Sequence, residues 1–424
     1  MHEATWLRSQ QLVCLAAVCL AAGGCMPKGE IGPEGSGAAG ASGTAANGGE
    51  AGRPTAGSTA APVAGSNAIG AAGSGPTAGS VAAGSNASAP TSMGNGGRSA
   101  AGSAAGTAGM SGSAAPVTAK PGDTWKATDG TLFDSCGEKV VLRGINHPTA
   151  YVDREGKALA EIAKTGANAV RLFWQVNVKI SEAEAAIAAS IKNGMVPILE
   201  LHDSTCKWNL DPIVSFWTSA QAVSLIQKYQ SHLIINIANE TSPPNANEFK
   251  SKYSSVVQQM RSAGIHVPLM IDGGNCGRDY NVLLSQGPAL VEADPDHNLI
   301  FSAHLYDRMN AAGYAKVYTD AAAKKLTFIV GEFAHKTPPG CGAALDYTAL
   351  ITEADKNDIG WLAWSWGDND PNTDWNSDCG EFDMATTFSF DTLRGWGKEV
   401  SVSLPASIEN TSVRPKSLVM GACN

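Results

Sequence analysis

Between residues 32 and 117 the chain has no aromatic residue and very few large aliphatic ones. Such a tract cannot bury enough apolar surface to offset the entropy that folding removes, so it is excluded from any core. Gly, Ala, Ser, Thr, Pro and Asn make up almost all of it, the composition of a disordered, partly Pro-stiffened tether. All but one of the ten Trp residues lie beyond it. Residues 121–424 are therefore expected to form one folded domain, preceded by a low-complexity linker at 26–120 and an export segment at 1–25.

Positive charge is also short. The formal net charge is −9, and because residues 1–120 nearly cancel, the folded part carries 25 basic against 35 acidic groups. That balance lacks the footprint of a nucleic-acid binder and suits a neutral polymer better. The apolar run at residues 12–22, preceded by Arg8, is too short for a stable bilayer span and reads as a targeting segment. It ends in Ala22-Gly23-Gly24-Cys25, similar to a bacterial lipoprotein processing site with a lipid anchor on Cys25, although Ala22 stands where Leu is usual. Either processing route makes the protein secreted or a cell-surface lipoprotein.

None of the nine cysteines forms a CxxC pair, which argues against a zinc cluster. Beyond the export segment six remain, Cys136, Cys206, Cys276, Cys341, Cys379 and Cys423. In an oxidising compartment they suggest three disulfides, with fifteen pairings open to sequence alone.

What the folded part does have is eight short apolar, β-branched runs, at residues 140–146, 169–174, 196–203, 233–240, 267–273, 298–306, 327–333 and 361–366. Runs of this kind suit strands buried on both faces, and the segments between them, such as 181–193 and 247–263, have helix-forming composition. The count and spacing indicate an α/β fold, a (β/α)8 barrel. Asp129-Gly130 offers a tight turn for a hairpin at about 124–141 that closes the barrel bottom. On this topology we expect Cys206–Cys276 and Cys341–Cys379 to tie rim loops, and Cys136–Cys423 to fasten the C-terminal tail to the hairpin.

Polar residues gather at the C-terminal ends of these strands, where barrel active sites assemble. They include Arg171, His202, Asn239, Glu240, His304, Tyr306, Glu332, Trp364 and Trp366. Any one alone would read as a paired core polar group or a solvated strand end. So many converging on one rim are hard to explain by packing.

The runs IINIANE (234–240), HLY (304–306), VGEFAH (330–335) and WLAWSW (361–366) resemble those of family 5 glycoside hydrolases, specifically bacterial endo-β-1,4-mannanases. GINHP (144–148), KTGANAVRL (164–172) and LELHD (199–203) extend the resemblance to the first three strands. It implies retaining hydrolysis, with Glu240 as general acid/base and Glu332 as nucleophile, two carboxyl groups about 5 to 5.5 Å apart. It further implies that Arg171 keeps Glu332 ionised, that Tyr306 donates to the nucleophile and that His304 orients the site. Asn239 would bond the 2-hydroxyl of the attacked sugar and Trp364 would form an apolar platform, with His202 among the substrate-binding residues. The implied partner is a polysaccharide, a β-mannan or a related β-1,4-glycan. Neither cofactor nor metal is expected, and the catalytic domain is expected to be monomeric.

Glu200 shares strand parity with His202 and reads as a structural partner of an Arg or His. His147 and His335 sit at strand ends, but a metal-dependent barrel hydrolase usually needs an HxH pair where this chain has Asn146-His147-Pro148. Trp208 and Trp217 could line sugar subsites or pack a helix. The acidic loop at 368–374 places oxygens at alternate positions yet lacks the Gly and the bidentate Glu of a calcium loop. The chain departs from the mannanase pattern at Thr149, Thr241 and Gly367 to Asp370, all on rim loops, which leaves the backbone sugar open between mannan and β-1,4-glucan. A non-catalytic glycan-binding lipoprotein would keep the aromatic floor and lose a carboxylate, and both are present.

Overall fold

A computed structural model of the chain describes residues 122–337, 343–367, 382–419 and 423. Cys25, Cys341, Cys379 and the acidic loop at 368–374 lie outside the described residues.

The chain first forms a small antiparallel sheet, β1 (Lys126–Thr128), β2 (Thr131–Phe133) and β3 (Lys139–Val140). Asp129 and Gly130 both take positive φ, 49° and 81°, the backbone a two-residue turn needs to match strand twist. Eight parallel strands follow: β4 (Arg143–His147), β5 (Ala169–Trp174), β6 (Val196–Leu201), β7 (Ile234–Asn236), β8 (Leu269–Asp272), β9 (Leu299–His304), β10 (Phe328–Glu332) and β11 (Gly360–Ala363). They close as a barrel, β11 pairing with β4.

Alternation along each strand divides the core in two. Ala169, Ile198, Ile234, Met270, Ile300, Ile329 and Leu362 point inward and meet Trp125, Leu132 and Val140 of the small sheet, which plugs the lower mouth. Val170, Leu199, Ile235, Ile271 and Val330 point outward into the layer beneath the helices. The helix Ala246–Ser262 shows why these segments coil: Phe249, Tyr253, Val256, Val257 and Met260 form one buried stripe, and Asn245 caps the first turn.

The strands end earlier than the apolar runs suggest. β7 stops at Asn236, and Glu240 has a left-handed φ of 48°, which cannot continue a strand. At β6, His202 begins a 3-10 turn, and β11 ends at Ala363, before Trp364. The lower staple pairs Cys136 with Cys423, and Cys206 pairs with Cys276 across the rim. Both pairings agree with expectation.

Candidate active site

Arg171 rises from β5 into the barrel axis and is fully buried. Its Nε donates to Asn236 Oδ1 (2.7 Å), Nη1 to Glu332 Oε1 (2.7 Å) and Asn146 Oδ1 (3.2 Å), and Nη2 to Asn239 Oδ1 (2.7 Å) and Asp272 Oδ2 (3.3 Å). A planar guanidinium with five donors suits such a hub, since its bonds reach the ends of four different strands, β4, β7, β8 and β10. Burial alone would lower its pKa, but the charges of Glu200, Asp272, Glu332 and Glu240 reverse that and raise it.

Glu332 reaches this hub through a bulge. The pairing of β10 with β9 slips between Val330 and Glu332, so that Glu332 faces His304, and a bulge re-aims the side chain that follows it. Gly331 makes this possible, because a Cβ there would lie 2.0 Å from Ser302 Oγ and 3.1 Å from His304 Nε2. Besides Arg171, Glu332 accepts from the Tyr306 hydroxyl at Oε2, 3.0 Å away. Burial raises the Glu332 pKa to about 7; His304 and Arg171 pull it down and Glu240 pushes it up. The attraction of Arg171 only limits a rise that burial sets. Tyr306 is itself pushed well above its ordinary value, first by burial and then by the carboxylates, and stays a donor.

Opposite lies Glu240. His304 Nδ1 is 2.8 Å from Glu240 Oε1 and 3.5 Å from Glu332 Oε2, while its Nε2 is 3.4 Å from Asp272 Oδ2. Burial lowers the His304 pKa, yet Glu332, Asp272 and Glu240 together raise it to about 9, so the ring carries charge at neutral pH. Glu240, His304 and Glu332 offer ligand atoms all within 4.8 Å of one another. That is metal-like spacing, but Arg171 and a protonated His304 already supply the positive charge two carboxylates call for.

The remaining expected residues surround this pair. Asn239 accepts from Arg171 at Oδ1 and donates through Nδ2 to Thr205 Oγ1 at 2.9 Å, which leaves one amide hydrogen for a ligand. His202 stacks on Phe173 (4.4 Å between centroids), and Phe173 lies 4.8 Å from half-buried Trp364, a continuous aromatic wall. Glu200 bonds His202 Nδ1 (2.9 Å) and lies 4.0 Å from Arg171, the structural partner its parity suggests. His147 is buried against Asp153 at 3.1 Å, and His335 stacks on Trp396. Trp217 and Trp366 are fully buried, donating to the carbonyls of Ile237 and Phe388; half-buried Trp208 stands 6.1 Å from Tyr253. The sequence reading missed Asp272, Asn236 and Asn146. Asp272 had a signal, a lone charge at the end of an apolar strand with the inward parity of Met270.

The family described as Cellulase (glycosyl hydrolase family 5) matches residues 133–370. Among curated proteins, the mannan endo-1,4-beta-mannosidase of Cellvibrio japonicus is 29% identical over 297 residues, covering 66% of this chain and 66% of the relative. That of Salipaludibacillus agaradhaerens is 30% identical over 283 residues, 64% of this chain and 88% of the relative. Among solved structures, a beta-mannanase from Thermomonospora fusca superposes with a TM-score of 0.64 at 25% identity, over 70% of this chain and 100% of that one.

Proposed function

Because the chain belongs to glycosyl hydrolase family 5, we propose that it cleaves β-1,4-mannosidic bonds within plant mannans, retaining the configuration at the anomeric carbon. The observation that carries this reading is the approach of Glu240 and Glu332, one carboxylate oxygen of each lying within 4.8 Å of the other. That is near the about 5 to 5.5 Å of double displacement and too close for the water that inversion places between carboxylates about 6.5 to 9.5 Å apart.

Glu332, oriented by Arg171 and Tyr306, attacks the anomeric carbon, and Glu240 gives its proton to the departing oxygen. The bond to the leaving sugar breaks as the bond to Glu332 forms. Glu240 then takes a proton from water, which displaces Glu332 and returns it as a carboxylate. Asn239 turns its free amide hydrogen to the 2-hydroxyl, and Trp364, backed by buried Phe173 and with His202 beside it, carries the apolar face of the ring. The reaction needs Glu332 ionised, and Arg171 and Tyr306 favour that form.

Mannan is supported by the names of the relatives, both mannan endo-1,4-beta-mannosidases. A β-1,4-glucan is the second reading, favoured by the family description, Cellulase. The two polymers differ in the orientation of one hydroxyl, which polar groups on the rim can discriminate. The protein acts outside the cytoplasm, a reading supported by its disulfides, and we extend it to an anchor at Cys25. Incubating the full chain with galactomannan, glucomannan, a soluble β-1,4-glucan and xylan should release most reducing ends from the mannans. More from the β-glucan would overturn the mannan reading and leave the hydrolase.

A further inference from the structure

The backbone around Glu240 is held almost entirely by two loops that a disulfide joins. Cys206 N–H donates to the carbonyl of Glu240 at 2.7 Å, and Ser242 N–H to the carbonyl of Lys207 at 3.0 Å. From the other side, Cys276 N–H donates to the carbonyl of Thr241 (3.3 Å) and to Ser242 Oγ (3.1 Å). Glu240 N–H bonds the Asp272 carboxylate at 3.2 Å. Between these clamps Glu240, Cys206, Asn275 and Cys276 all adopt left-handed φ, from 48° to 55°, a conformation that non-glycine residues keep only where the surroundings impose it. The same loop reaches the Glu240 side chain. A Cβ on Gly277 would lie 2.7 Å from His304 Nδ1 and 3.0 Å from Glu240 Cγ, and His304 N–H donates to the Gly277 carbonyl at 2.9 Å. Cys206 and Cys276 thus flank the candidate acid/base in one hydrogen-bonded cluster, Cα atoms 4.6 Å apart.

We propose that Cys206–Cys276 is a positioning pair for the acid/base: the bond holds Glu240 in its left-handed backbone and against His304, and opening it impairs proton transfer by Glu240 while leaving attack by Glu332 intact. The proposal rests on the acid/base reading of Glu240. Both cysteines are partly exposed, so thiol reductants can reach the bond in the folded protein.

A general acid matters for a poor leaving group and little for a good one, which separates positioning from simple loss of stability. The full-length protein, its C206S/C276S, C136S/C423S and Glu240→Ala variants, and wild type reduced by a thiol while folded by circular dichroism, are compared on mannan and on a dinitrophenyl mannooligoside. C206S/C276S and the reduced wild type should lose about tenfold or more in kcat/KM on mannan and less than about threefold on the activated glycoside. C136S/C423S, which opens only the lower staple, should keep the wild-type ratio of the two. Equal losses on both substrates, or no loss on mannan, would overturn the proposal, and if C206S/C276S does not fold the reduced wild type decides it. Should Glu240→Ala itself fail to separate the two substrates, the acid/base reading falls instead.

Discussion

At the lower end of the barrel the inward positions are Ala169, Ile198, Ile234 and Met270, sealed by Trp125. Two residues further along the same four strands the inward positions are Arg171, Glu200, Asn236 and Asp272, all fully buried. One step of the strand repeat therefore separates a dry plug from a charged hub. The lower layer closes the site from beneath, so the carboxylates above are satisfied by Arg171, by the donors Asn236, His202, His304 and Tyr306 around them, and by what enters from the rim. Burial, the first cause of the upward shift of Glu332, is a contribution of the whole architecture. The two staples divide in the same way: Cys136–Cys423 ties a terminus to the small sheet, and Cys206–Cys276 flanks Glu240.

The sharpest division expected between the two ends is in catalysis. Glu332→Ala should reduce hydrolysis of mannan by more than about a thousandfold, or 4 kcal/mol, and azide should restore cleavage of an activated glycoside by filling the space left. Retention of a tenth of wild-type turnover would remove Glu332 from the chemistry. Tyr306→Phe should be milder, because it deletes one charge-assisted hydrogen bond to Glu332, worth about 1.5 to 3 kcal/mol. A loss of about ten- to a hundredfold in kcat/KM is expected, and an unchanged rate would mean that the phenol does not act on the nucleophile.

Acid should act through the same group. With the Glu332 pKa raised to about 7, the carboxyl is protonated below that pH and cannot attack. The kcat/KM on mannan should fall about tenfold per pH unit on the acid side, and a rate flat from pH 7 down to 5 would contradict the shift. The smallest catalytic effect is expected from the lower end. Trp125→Ala should cost about 3 to 5 kcal/mol of stability in a melting or denaturant experiment, with kcat/KM per folded molecule unchanged. A large activity loss in folded Trp125→Ala protein would show that the plug and the hub are not separable.

The division itself was legible in the sequence. The count and spacing of the eight apolar runs and the turn at Asp129-Gly130 lead to the barrel and its closing hairpin, and the polar strand ends lead to the hub, because local pattern and global fold agree there. The orientation of Glu332 was not legible. Strict alternation from Ile329 would turn Glu332 outward with Val330, and only the slip in pairing at Gly331 brings it in; a bulge depends on the neighbouring strand, which sequence periodicity does not contain. The left-handed backbone of Glu240 was hidden for the same reason, since the two loops that flank it impose it together.

The central claim is that the rim carboxylates act by double displacement, and the anomeric configuration of the first product tests it most directly. Proton NMR of mannan or a mannooligosaccharide during the first minutes of hydrolysis, before mutarotation, should show the new reducing end as the β-anomer. An α-anomer appearing first would mean that water, and not Glu332, attacks the sugar.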